Sequence, residues 1–167
     1  MENIPFWKAI LITLGVLVLA GIYIFVGSLF GLEDPWIGFV ALTLWSATGM
    51  KMEQAPGIFV GGAAGLLISF GIEWLPDVYG DWAVIIPVSA IVLAISCVIK
   101  GMLPLVCNFG MFMFLTIATA DVFLDQRLQL LYLRDLAYGA LFFWMLPWLV
   151  IRFRQRGEGG GGTPQAS

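Results

Sequence analysis

The chain has 167 residues, of which 60% are hydrophobic and 11% charged, and it contains no histidine. A water-soluble domain carries charge on about a quarter of its residues, so this chain cannot cover a globular surface with polar groups, and its solvent is read as lipid. The lack of histidine removes the commonest general base and metal ligand; the net charge of −3 says little about partners, and no basic stripe suggests nucleic acid.

Six apolar segments follow one another, at residues 9–32, 36–50, 56–75, 82–99, 102–123 and 136–151. A membrane-spanning helix needs about 20 apolar residues, so the reading is an all-α bundle of six transmembrane helices over residues 1–156, followed by a flexible tail at 157–167. The first segment is longer than the apolar core of a secretory signal and has no A-x-A-like cleavage site, so it reads as a retained spanning helix. The second is short and is expected to extend into Lys51 and Met52. The breaks carry turn chemistry: "EDP" at 33–35, "EQAPG" at 53–57, "PDVYGD" at 76–81 and "KG" at 100–101. Trp36, Trp74, Trp82 and Trp148 fall at segment ends, as interfacial aromatic residues do. The fifth connection, "LDQRLQLLYLRD", is expected to lie along the outer interface as a short amphipathic turn.

With six spans, Lys8, Lys51, Lys100, Arg152, Arg154 and Arg156 share one side, and Arg127 and Arg134 take the other with most of the acidic residues. The positive-inside rule then places both termini in the cytoplasm, with the chain in a cell (inner) membrane.

The two halves resemble each other at an offset of 73–74 positions. "LTLWSA" at 42–47 falls on "LTIATA" at 115–120, and "AAGLLISFGIEWL" at 63–75 falls on "AYGALFFWMLPWL" at 137–149. Three spans per half reverse direction, so halves 9–75 and 82–151 would form an inverted repeat, a design found in transporters and channels. Helices two and five are then mates, and Thr43, Ser46, Thr116, Thr119 and Asp121, with Asn108 placed after Pro104 inside helix five, are the expected lining of a path for a small polar solute. The competing reading is that the hydroxyls bond to carbonyls of their own helix or hold helices together.

Helix three carries Gly57, Gly61, Gly65 and Ser69 at intervals of four, a stripe that permits close backbone approach by a partner helix in the same chain or in a second copy. Cys97 and Cys107 lie in apolar stretches and read as packing thiols. No phosphate-binding glycine loop, zinc-type spacing or Ser/His/Asp set occurs, so no cofactor, metal or catalytic residue is assigned. Intramembrane catalysis would have only Asp121 and Glu73 to draw on.

The runs "WIGFVALTLW…GGAAGLLISFGIEWL", "KGMLPLVCNFGMFMFLTIATAD" and "LAYGALFFWML" resemble the domain of unknown function 1097 family of small bacterial inner-membrane proteins, over about residues 9–150. The resemblance implies an integral bacterial membrane protein and brings no activity or site residue with it. The leading functional expectation is a channel or small transporter. The alternative is a non-transporting accessory subunit of a larger complex.

Overall fold

The computed structural model describes residues 5–32, 34–120, 126–149 and 151–152. All its described secondary structure is helical: α1 (Phe6–Leu29), α2 (Trp36–Ala47), α3 (Ala55–Tyr79), a 3-10 turn at Asp81–Val84 leading into α4 (Ile85–Ile99), α5 (Phe109–Ala118), and α6 (Gln126–Gly139), which continues through a π-helical stretch at Ala140–Met145. Among the described residues, Ala55–Tyr79 and Asp81–Ile99 are long and apolar enough to cross a membrane, with hydropathies of 1.8 and 2.6.

Helices two and five are shorter than expected. α2 has 12 residues and α5 has 10, about 18 and 15 Å of helix, roughly half the thickness of a bilayer's hydrocarbon core. α2 does not run on into Lys51, because the backbone turns left-handed at Gly49 and Met50, with φ of 74° and 55°. Residues 102–108 precede α5 as irregular chain, so Pro104 lies before the helix and does not bend it. The fifth connection is also different from expectation. Gln126–Gly139 is helical and feeds directly into the sixth segment, with Tyr132, Asp135 and Leu136 buried. Between α3 and α4 the chain breaks at Gly80, whose φ of 89° and ψ of 165° fall in a region open to glycine alone.

The centre of the molecule is the pair α3 and α6. The short helices pack against them: α5 lies along α3 and α2 lies along α6, while α2 and α5 do not run along each other. Glycine decides both contacts. A Cβ at Gly65 would overlap the carbonyl oxygen of Met111 and come 2.8 Å from the amide nitrogen of Leu115. A Cβ at Gly139 would come 2.8 Å from the Cα of Gly38. Gly65 and Gly139 are 74 positions apart, and Gly38 and Met111 are 73 apart. Gly62 marks the α3–α6 crossing, where a Cβ would come 3.2 Å from Leu136, which lies 74 positions further on.

α1 joins this frame through an aromatic cluster. The ring of Tyr23 lies 4.6 Å from Phe143, 4.8 Å from Tyr138 and 5.0 Å from Phe39 between centroids, and the Tyr138 hydroxyl donates to the Tyr23 carbonyl at 2.9 Å. Beyond this anchor α1 is bare on its described faces: Phe6, Leu11, Leu17, Val18 and Phe25 are all exposed. α4 is similar, burying only Pro87, Ala94 and Cys97. Both cysteines are free thiols.

Candidate functional site

The glycine stripe is filled from within the chain. Gly61, Gly65 and Ser69 are buried, and α5 lies in the channel they leave. At the head of that channel sits Asn108, expected inside helix five and found as its N-cap. Its backbone is extended, with φ −148° and ψ 179°, the conformation a capping residue needs. Its Oδ1 accepts from the amide of Met111 at 3.2 Å. Its Nδ2 lies 2.7 Å from the Gly57 carbonyl oxygen and 3.1 Å from those of Pro104 and Leu105. A Cβ at Gly61 would come 2.7 Å from Nδ2, so the amide fits only because residue 61 has no side chain.

A cavity of about 410 Å³ opens beside Asn108, between the end of α2, the start of α3 and the approach to α5. Leu44, Ile58, Pro104, Leu105 and Phe109 supply apolar wall, and Thr48, Glu53, Gln54 and Asn108 supply the polar groups. This volume lies within the usual range for small-molecule sites.

The other expected lining residues are elsewhere. Thr43, Ser46 and Thr116 are exposed and Thr119 is half-buried. Each hydroxyl bonds to its own helix: Thr43 to the Phe39 carbonyl at 2.8 Å, Ser46 to Thr43 at 2.7 Å, Thr116 to Phe112 at 2.8 Å and Thr119 to Leu115 at 2.8 Å. They form no seam between α2 and α5. The physical reason is local. A hydroxyl on a helix in an apolar medium satisfies itself on the carbonyl one turn back, and no neighbour is required. Asp121 lies outside the described residues, as does the tail.

The sequence reading missed Asp135, which it placed among the outer loop charges. Asp135 and Ser69 are the buried polar side chains among the described residues. One Asp135 oxygen accepts the backbone amide of Asp34 at 2.9 Å, and the other pairs with Arg134 Nε at 3.0 Å. The carboxylate thus stands at the N-terminus of α2, where the helix dipole favours a negative charge. Position 135 is the counterpart of Gly61 at the 74-residue offset. On α6, Asp135 meets the approach to α2, and on α3, Gly61 leaves the gap that Asn108 enters. Close by, the Tyr23 hydroxyl is buried against Gly38 and has no hydrogen-bond partner among the described residues.

Comparison with known proteins found no matching family model, no similar curated protein and no similar solved structure.

Proposed function

We propose that the chain is a multi-pass membrane protein of two inversely related three-helix halves, and that it binds and passes a small polar solute at the pocket beside Asn108. The observation that carries this reading is the recurrence of one contact in both halves. Gly65 meets Met111 between α3 and α5, and Gly139 meets Gly38 between α6 and α2, at offsets of 74 and 73. The capping positions Pro35 and Asn108 are likewise 73 apart. Two short helices, each laid against a long helix of the opposite half, match the broken-helix, inverted-repeat plan in which transporters set their sites.

The bare surfaces of α1 and α4 support lipid as the solvent, because soluble monomers rarely expose apolar patches beyond a few hundred Å². In the six-span reading Lys8, Lys51 and Lys100 sort with the C-terminal arginines, which supports an inner-membrane protein with both termini on the cytoplasmic side. A green fluorescent protein fused to the C-terminus is expected to fluoresce in cells, and a periplasmic alkaline phosphatase fused there to be inactive.

The transport reading is tested by light scattering from proteoliposomes shrunk and re-swollen in urea or glycerol. Re-swelling faster than that of protein-free vesicles is expected for at least one small polar solute, and rates equal to theirs for urea, glycerol and a small organic cation alike would overturn it. The second reading, an accessory subunit without transport, draws on the outward hydroxyls of Thr43, Ser46 and Thr116 and on the ring-packed junction of α1, α2 and α6. Equal rates would favour it.

A further inference from the structure

The polar groups around the pocket are unevenly divided between donors and acceptors. Three carbonyl oxygens, from Gly57, Pro104 and Leu105, converge on Asn108 Nδ2 within 2.7–3.1 Å. A side-chain amide nitrogen carries two hydrogens, so three acceptors share two donors and spare lone pairs remain at the floor. All three of these residues line the cavity. The only charged side chain in the lining is the carboxylate of Glu53. The nearest basic residue in sequence, Lys51, is exposed and is not part of the wall. The opposing donors carry no full charge: of the first-turn amides of α5, Met111 donates to Asn108 Oδ1 and Phe112 to the Asn108 carbonyl, and Gln54 adds a neutral side-chain amide to the wall. Leu44, Ile58, Pro104, Leu105 and Phe109 surround these acceptors with apolar surface, and the ring of Phe109 is exposed.

From this we infer that the pocket's solute is a small primary alkylammonium ion, held at its head by Glu53 and the spare carbonyl lone pairs and along its tail by the apolar wall. The inference rests on reading the pocket as the solute site. An ammonium brings three donors and no acceptor, the complement of the groups present. A carboxylate ligand would face Glu53 and the carbonyl floor with like polarity. A quaternary ammonium would keep the charge but lose the donors.

The test is calorimetric titration of the full chain in detergent with n-butylammonium, its N-trimethyl analogue and butyrate. Butylammonium is expected to bind at least about tenfold more tightly than either, a difference of about 1.4 kcal/mol. Glu53→Gln is expected to weaken it about fivefold to tenfold, and Glu53→Asp to retain most of the affinity. Glu53 is exposed, so neither change threatens folding. Leu105→Trp, at an exposed position outside any helix, fills the cavity and is expected to abolish binding without lowering the melting temperature. Equal binding of butylammonium and butyrate, no binding of butylammonium, or unchanged binding by Glu53→Gln would each overturn the inference. Ammonium binding without flux of butylammonium, urea or glycerol into proteoliposomes would sustain the inference and overturn the transport reading. Flux without ammonium preference would do the reverse.

Discussion

The substitution Gly65→Ala adds one methyl group at the point where α3 and α5 touch. That methyl would overlap the Met111 carbonyl oxygen and stand 2.8 Å from the Leu115 amide nitrogen. Both obstacles are backbone, so no rotamer change relieves them, and α3 and α5 must separate by on the order of 1 Å to restore ordinary contact. Separation loosens the length of α5, including the fit of Asn108 against Gly57 and Gly61. Overpacking of a rigid contact costs about 1–3 kcal/mol, and here the whole interface is affected, which puts the cost at the upper end. The gain in helix propensity from Gly to Ala, about 1 kcal/mol, offsets part of it. A net loss of about 2 kcal/mol is expected, read by reversible denaturation in detergent micelles. Gly15→Ala and Gly21→Ala are the internal controls, because a Cβ at either position has nothing within 4 Å; they should be neutral or slightly stabilising. If Gly65→Ala unfolds at the same denaturant concentration as Gly15→Ala, the close approach of α3 and α5 is wrong, and the placement of Asn108 falls with it.

Gly139→Ala should destabilise to a similar degree as Gly65→Ala, since its methyl would meet the Gly38 Cα at 2.8 Å; a neutral result by the same assay would remove the correspondence between the halves. Asn108→Asp preserves the cap on Met111 but turns a second acceptor toward three carbonyl oxygens, and should cost about 2 kcal/mol, near the middle of the range for unsatisfied buried groups. Asp135→Leu leaves the Asp34 amide without its acceptor and should cost about 1–3 kcal/mol, whereas Asp135→Asn retains an acceptor oxygen and should cost less; the reverse order in melting temperature would refute the capping role. Thr43→Val with Thr116→Val removes two exposed hydroxyls bonded to their own helices, so stability should change by no more than about 0.5 kcal/mol and solute flux should be unaltered. A loss of flux in that double variant would restore the hydroxyl-lined path.

Part of the candidate site was legible before any coordinates. The spacing of Gly57, Gly61, Gly65 and Ser69 announced a close helix contact, because removing side chains at every fourth position clears a groove along one helix face. Residues 42–47 and 115–120 both fall in or at the end of short helices, α2 and α5. Asn108 was singled out for its polarity in an apolar setting, although its position at a helix start, and not inside one, depended on the irregular chain from 102 to 108.

What the sequence by itself determined is the chemistry that local rules govern: an apolar chain with little charge, helical throughout its described elements, with glycines where helices touch. Only the tertiary structure decided which helix fills the glycine groove, which way the hydroxyls of Thr43, Ser46 and Thr116 face, and that Asp135 is buried. The reason is one of range. A hydroxyl satisfied within its own turn leaves no trace of direction in the spacing of residues, and the burial of Asp135 depends on the arrival of the α2 N-terminus, a hundred residues earlier in the chain, which no local pattern around residue 135 records.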